Sequence, residues 1–228
     1  MEIQSRPIIL KDMGWYEVKL KKDIVDFLWK MIKKPKKDMK GELAGNISRS
    51  YMIEDENNYF YQNVLLPMVS KWSEEVGLDG LKIPLNENFY FYLKSLWANY
   101  QYQHEFNPLH DHPSASFSFV IWMKIPYDHE EQVKLPFLKG IKDEEKKAGC
   151  FEFEYLSMYG KPRNHAYRLS PKYETQMLFF PSQLRHMVYP FYNTKEPRIS
   201  ISGNMNYKVG FEKDIDRAAD QPRFGIIK

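Results

Sequence analysis

Three histidines have the spacing of a metal site. His110 and His112 stand two residues apart in NPLHDHPSAS, and His186 follows a predicted strand and turn in FFPSQLRHMVYPF. In an extended segment residues i and i+2 point to the same face, so the first two imidazoles can converge while Asp111 faces away. Neutral imidazole suits iron, copper, nickel and zinc. The HxH pair alone could equally be two surface histidines beside a proline turn, so the metal hypothesis depends on His186 joining them.

A second group suits the binding of an organic acid. The segment RISISGN alternates, which places Arg198, Ser200, Ser202 and Asn204 on one face. If the chain closes into a barrel, this polar row faces the cavity, where a buried arginine needs a charged partner. A planar guanidinium beside a hydroxyl suits bidentate capture of a carboxylate. The alternative is that Arg198 lies at the surface of an edge strand.

The elements that must position these groups are a helical region followed by a β-rich half. Hydrophobic periodicity predicts one helix over residues 22–34 and a second from residue 54 or 55 to 76, with a kink at Pro67. Strands are predicted at 15–20, 89–106, 116–127, 149–158, 174–182 and 197–207. Residues 36–50 and 128–148 read as loops. Short strands at this spacing favour a sandwich, barrel or jelly roll within one α+β domain, with the helices on one face of the sheet.

Composition excludes several classes of protein. The net charge of +3 over 228 residues is too balanced to predict specific nucleic-acid binding, and the single cysteine, Cys150, excludes a disulfide framework within the chain. We see no signal-peptide pattern and no apolar run of about 18 residues, so no membrane association is expected and the cytoplasm is the predicted location.

The segments NPLHDHPSASFSFVIW, FFPSQLRH and RISISGN, in this order, resemble the iron(II)- and 2-oxoglutarate-dependent oxygenases. They look most like oxygenases found in phage and marine bacterial genomes, which are similar to prolyl hydroxylases only in fold. The resemblance spans residues 89–206. It implies a mainly β, α+β protein: a double-stranded β-helix, or jelly-roll and cupin-like barrel, with N-terminal helices packed on one sheet. The expected domain, 1–228, comprises a helical support region (1–80), a β-barrel core (81–210) and a C-terminal tail (211–228).

The resemblance also implies a site. Fe(II) would be held by His110, His112 and His186, and Arg198, helped by Ser200, would bind the distal carboxylate of 2-oxoglutarate. Further candidates for the co-substrate pocket are Trp122, Lys124 and Asn99, with Lys124 as a rival to Arg198. The sequence departs from the family's common pattern of two histidines and one carboxylate. Asp111 could supply that carboxylate only if the local backbone bulges and turns it inward.

The implied activity is hydroxylation of a substrate, coupled to the oxidative decarboxylation of 2-oxoglutarate. The substrate could be a small molecule or a peptide, and the sequence predicts no oligomeric state. For a phage-encoded protein the location would be the host cytoplasm. The charged segment 128–148 and residues 161–165 are candidate lids. Two alternatives stay open: a cupin-like three-histidine metalloenzyme that does not use 2-oxoglutarate, and a non-catalytic jelly-roll binding protein.

Overall fold

The computed structural model describes residues 14–39, 45–78 and 89–210. Within these ranges the chain forms eleven strands and three α-helices. The strands are β1 (Tyr16–Lys19), β2 (Lys37–Asp38), β3 (Arg49–Met52), β4 (Phe89–Gln101), β5 (Asn107–His110), β6 (Phe117–Lys124), β7 (Cys150–Leu156), β8 (Pro162–Arg168), β9 (Gln176–Pro181), β10 (Arg185–Val188) and β11 (Arg198–Val209). The helices are α1 (Lys22–Ile32), α2 (Leu66–Glu75) and α3 (His129–Gln132).

The strands make two antiparallel sheets. The major sheet has the order β1-β9-β6-β11-β4-β3-β2, and the minor sheet has the order β5-β10-β7-β8. The sheets face each other across an aromatic core, to which the major sheet contributes Trp122 and Phe180 and the minor sheet Phe151 and Phe153. This arrangement is the double-stranded β-helix that the family resemblance implied.

Helices α1 and α2 cover the outer face of the major sheet, as predicted. Leu28 and Met31 share the buried side of α1, three residues apart, as the helical period requires. Trp72 of α2 meets Phe117 of β6 edge-on, with ring centroids 5.5 Å apart. Phe60 contacts Phe119 of the same strand at 5.6 Å. Because β6 is covered by helices on one side and by the minor sheet on the other, it is buried along almost its whole length.

The second helical segment begins after Asp55 and is irregular before Pro67. The Asp55 carboxylate accepts the backbone N–H groups of Phe60 and Tyr61 at 2.9 and 2.7 Å, which satisfies donors that a helix start leaves open. Residues 61–65 then form a π-helical turn that leads into α2. Pro67 has no N–H to give to a regular turn, so the irregularity lies immediately before it.

The structure adds strands that the sequence patterns did not reveal. Besides β1, which agrees with the strand predicted at residues 15–20, the predicted helical support region contributes β2 and β3 to the major sheet, although residues 36–50 were predicted to be a loop. Residues 161–165, a candidate lid, lie largely in β8, an exposed edge strand. In the other candidate lid, 128–148, His129 is buried and donates from Nδ1 to the Ala148 carbonyl at 2.9 Å. In the described part of the chain, no helix has the length and apolar character to cross a membrane.

Candidate metal centre

Two of the predicted ligands are brought together by strand pairing. His110 ends β5 and His186 lies in β10, and the two residues are direct partners in the antiparallel ladder. Side chains of such partners stand on the same face of a sheet, and these two imidazoles have ring centroids 4.3 Å apart. The predicted convergence of the HDH segment with His186 therefore follows from the register of the minor sheet.

The third histidine lies just beyond the end of β5. The backbone N–H of His112 donates to the Ser182 carbonyl at 2.9 Å, and this bond ties the HDH segment to the turn that precedes His186. The His112 ring centroid lies 5.1 Å from that of His110 and 5.3 Å from that of His186. One ring nitrogen from each histidine lies within 4.8 Å of the other two. Asp111 is exposed and does not belong to this group.

Backbone carbonyls set the orientation of two of the rings. His110 Nδ1 donates to the Pro108 carbonyl at 2.7 Å, and His186 Nδ1 donates to the Leu184 carbonyl at 2.9 Å. Each bond places the proton on Nδ1 and leaves the Nε2 lone pair for a metal ion, as in many metal-binding histidines. The group therefore fits a metal ion that prefers imidazole nitrogen.

Burial keeps the imidazoles neutral. Desolvation lowers the pKa of His186 to about 3 and that of His112 to about 4. The nearby imidazole of His110 makes a smaller contribution in the same direction. Burial also lowers the pKa of His110. His186 is the most enclosed of the three, and its ring lies 5.0 Å from that of Phe180. Neutral imidazole is the form that binds metal, so no proton has to be displaced near neutral pH.

Arg198 stands in the same cavity as the histidines. It is 2% exposed, and it donates hydrogen bonds to the Tyr127 hydroxyl and to the Gln101 side-chain oxygen. The ring of Phe191 also lies beneath the guanidinium, whose carbon is 5.7 Å from the ring centroid. Burial raises the pKa of Tyr127 to about 12, so this partner is neutral. Among the described residues, no carboxylate lies within salt-bridge distance of Arg198.

The predicted alternation of β11 explains how Arg198 reaches the cavity. Arg198 and Ser200 line the cavity, whereas Ile199 and Ile201 pack beneath the helices. Ser200 is paired with Asn99 on β4. On its other side Ser200 is paired with Trp122 of β6, and the three side chains form a row across the sheet.

Asn99 and Trp122 line the cavity, but Asn99 already has a partner. Its side-chain oxygen accepts a hydrogen bond from the Ser50 hydroxyl at 2.6 Å. Asn99 is therefore held in place by β3, a strand that was not predicted. Its role towards a co-substrate stays a prediction.

Lys124 is not placed to anchor a co-substrate. The pairing of β6 with β11 shifts register between Ile199 and Ser200, so Lys124 does not continue the row that contains Trp122. Its ammonium group bonds the Glu196 carboxylate at 2.8 Å, and 41% of its side chain is exposed. Simple alternation along the strand suggested Lys124, and the register shift corrects that suggestion.

The sequence did not single out the two groups that orient Arg198. Gln101 could have been found, because it lies two residues beyond Asn99 on β4 and therefore shares its face. Tyr127 lies beyond the end of β6, where no strand pattern predicts its direction. Its hydroxyl donates to the Gly149 carbonyl at 2.8 Å while it accepts from Arg198.

Comparison with known proteins finds a family match and distant structural likenesses. Residues 95–204 match the family described as "Putative 2OG-Fe(II) oxygenase". Among solved structures, the chain is similar to a prolyl-4-hydroxylase from Pseudomonas putida, at 16% identity and a TM-score of 0.48, over 85% of this chain and 93% of that one. It is also similar to an oxidoreductase of the 2OG-Fe(II) oxygenase family from Burkholderia pseudomallei, at 11% identity and a TM-score of 0.46, over 85% of each chain. No curated protein sequence matches the chain.

The two structural likenesses are too distant to carry function to this chain. The family match is different, because it covers the segments that contribute the three histidines and Arg198 to one cavity. Residues 95–204, which contain His110, His112, His186 and Arg198, match the model of the 2OG-Fe(II) oxygenases, a family of enzymes that work with Fe(II) and 2-oxoglutarate.

Proposed function

We propose that this enzyme couples the oxidative decarboxylation of 2-oxoglutarate to the hydroxylation of a small-molecule or peptide substrate. In this proposal His110, His112 and His186 hold Fe(II), and Arg198 holds the distal carboxylate of 2-oxoglutarate. The observation that carries the proposal is the burial of Arg198 in the histidine cavity with only neutral hydrogen-bond partners.

An arginine in this position favours an anionic ligand. Removing a charged group from water costs several kcal/mol, and the cost is offset only by good hydrogen bonds and an opposite charge. Tyr127 and Gln101 supply hydrogen-bond acceptors without charge. A carboxylate that enters the cavity would supply the missing charge and could accept two parallel hydrogen bonds from the guanidinium.

The remaining cavity residues suit a rigid, dry pocket. Ser200 stands two residues from Arg198 on the same face and offers a hydroxyl to the same carboxylate. Trp122 and Phe151 wall the cavity with aromatic surface, which excludes water and strengthens charge interactions inside. When bound, Fe(II) supplies the oxygen chemistry of the family, while the protein orients the ligands and the co-substrate.

The proposal is tested by binding and turnover of 2-oxoglutarate. We expect wild-type protein loaded with Fe(II) under argon to bind 2-oxoglutarate in a calorimeter, and to release succinate when oxygen is admitted. Arg198→Ala should keep the metal but lose at least about thirtyfold in 2-oxoglutarate affinity, the range for truncating one partner of a buried charge pair. Lys124→Ala, which removes a cation paired with Glu196, is the matched control and should bind 2-oxoglutarate normally.

One alternative function has an observation in its favour. The metal-ligand group contains three neutral imidazoles and no carboxylate, a set that also suits a cupin-like metalloenzyme without 2-oxoglutarate. In such an enzyme the buried guanidinium of Arg198 would have no 2-oxoglutarate carboxylate to bind. Metal-loaded wild-type protein that neither binds 2-oxoglutarate nor releases succinate would favour this alternative and end the proposal.

A further inference from the structure

We propose that the Asn107 carboxamide is a fourth protein ligand of the metal ion, with its oxygen turned towards the metal in the state without 2-oxoglutarate. This inference rests on the proposed metal site and adds a residue that the HDH segment and His186 do not include. Asn107 lines the same cavity as the three histidines.

An irregularity in strand pairing brings Asn107 to the cavity. Asn107 and His110 are three residues apart, and in a regular strand they would point to opposite faces. Here His110 is paired with His186 and Asn107 with Val188, so three steps along β5 match two steps along β10. The extra residue is a bulge, a feature that re-aims side chains and is common beside active sites. It turns Asn107 towards the same cavity as His110.

The carboxamide contacts the nitrogen atom that would bind the metal. Asn107 Nδ2 lies 3.4 Å from His110 Nε2, the nitrogen left free by the bond from Nδ1 to the Pro108 carbonyl. A metal ion binds imidazole nitrogen at about 2.0–2.1 Å, which is well inside the separation of these two atoms. The amide N–H groups carry partial positive charge and cannot face a cation. Metal binding therefore removes the only acceptor that Asn107 Nδ2 has among the described residues, and it repels the NH2 group.

The oxygen of the same carboxamide is free to turn. Asn107 Oδ1 is buried and has no hydrogen-bond partner among the described residues. A buried acceptor without a donor is unfavourable, so the present orientation is held only by the long contact to His110. Rotation about the last side-chain bond exchanges the two ends of the amide without breaking a bond to Oδ1. It also presents a hard oxygen donor to the ion.

Gly45 leaves the space for this side chain. A Cβ atom at residue 45 would lie 2.6 Å from Asn107 Oδ1 and 2.9 Å from its carboxamide carbon. The segment that contains Gly45 is fixed beside Asn107, because Asn46 and Phe106 form an isolated antiparallel bridge in which the Asn46 N–H donates to the Phe106 carbonyl at 2.9 Å. The close approach of residue 45 to the carboxamide is thus part of the folded backbone.

The lack of a negatively charged ligand favours an oxygen donor at this site. The three imidazoles are neutral, and the exposed Asp111 does not join them, so the described ligands bring no negative atom to the ion. An amide oxygen carries partial negative charge and suits hard divalent ions. It offsets part of the electrostatic deficit that the missing carboxylate leaves.

The experiment compares metal binding by Asn107→Leu, Asn107→Asp and the control Asn206→Leu, all without 2-oxoglutarate. Leucine keeps the branched arrangement of side-chain heavy atoms of asparagine and removes its oxygen. Asn206 lies on β11, accepts a hydrogen bond from the Ser116 hydroxyl, donates one to the Ser114 carbonyl and does not line the metal cavity. Calorimetry gives the affinity for Co(II) and Mn(II), and the visible absorption of bound Co(II) reports the number and type of its ligands.

We expect Asn107→Leu to weaken metal binding by about tenfold, the lower end of the effect of a supporting group at a metal site. We expect it also to change the Co(II) absorption, whereas Asn206→Leu should change neither. Asn107→Asp should bind both metals more tightly than wild type, because a full negative charge replaces a dipole. Asn107→Leu protein that is folded by circular dichroism and has wild-type affinity and absorption would overturn the inference. Wild-type protein that binds no metal would instead overturn the proposed function.

Discussion

His110 and His186 face each other across the β5–β10 ladder, with ring centroids 4.3 Å apart. Backbone pairing alone brings these two side chains together, so their arrangement can form before a metal ion binds. His112 lies outside the ladder and depends on its bond to the Ser182 carbonyl. The metal centre therefore has a rigid pair fixed by the sheet and a third ligand fixed by two adjoining turns.

The rigid pair leads to the first prediction. His186→Leu should lower Fe(II) affinity by more than about 100-fold, because loss of a ligand exceeds the 10–100-fold effect of supporting groups. Leucine also packs well among Phe151, Phe153 and Phe180, so the melting temperature should stay close to that of wild type. Metal titration and thermal denaturation of the same samples measure both. His165→Ala, on the exposed strand β8, is the control. Unchanged Fe(II) binding by His186→Leu would remove His186 from the site.

The third ligand leads to the second prediction, which separates His112 from Asp111. Of these two residues, only His112 places a ligand atom beside the ring nitrogens of His110 and His186. We therefore expect His112→Ala to lose Fe(II), and Asp111→Ala to retain it. His112→Asp should bind Fe(II) at least as tightly as wild type, since it creates the common set of two histidines and one carboxylate. Loss of the metal in Asp111→Ala, together with retention in His112→Ala, would reverse the assignment.

Strand periodicity predicted the parts of the site that lie in regular strands and in the extended segment directly after β5. The i, i+2 spacing of His110 and His112 and the alternation of Arg198 with Ile199 both correspond to positions in the structure. Prediction failed where the ladder is irregular: Lys124 follows a register shift, and a bulge separates Asn107 from His110. A single sequence carries no local signal for either, because both depend on how a distant strand is paired.

Exposed and polar strands were missed for a different physical reason. β8 is mostly exposed, so its composition shows no apolar alternation. β3 contains Arg49 and Ser50, and the Ser50 hydroxyl bonds Asn99 inside the sheet. Such strands are stabilised by backbone pairing with a neighbour, which hydrophobic patterns do not report.

The third prediction concerns the hydroxyl that orients Arg198. Tyr127→Phe removes an acceptor of the guanidinium and the donor to the Gly149 carbonyl. Leaving buried polar groups without partners costs about 1–3 kcal/mol, so we expect a loss of unfolding free energy in that range. Affinity for 2-oxoglutarate should fall, while metal affinity should not. Chemical denaturation and calorimetry measure the effects. Tyr159→Phe, at a residue that is 82% exposed, should behave as wild type. Equal stability of the two variants would show that the Tyr127 hydroxyl does not support Arg198.

The last prediction uses two glycines with the same backbone conformation and different surroundings. Gly149 has φ of 73° and Gly160 has φ of 70°, so alanine is strained at both, by roughly 1–2 kcal/mol. A Cβ at Gly149 would lie 2.6 Å from the Tyr127 ring, whereas nothing lies within 4 Å of a Cβ at Gly160. The difference in unfolding free energy between Gly149→Ala and Gly160→Ala therefore isolates the crowding of Tyr127.

We expect Gly149→Ala to be the less stable variant, by about 1–3 kcal/mol, the usual range for overpacking a core. Displacement of the Tyr127 ring should also disturb the hydrogen bond that its hydroxyl accepts from Arg198. Gly149→Ala should thus bind 2-oxoglutarate more weakly than Gly160→Ala, although residue 149 does not line the cavity. Loss of stability without a change in 2-oxoglutarate affinity would mean that Arg198 keeps its position without Tyr127, and that Gln101 alone is sufficient to orient the guanidinium.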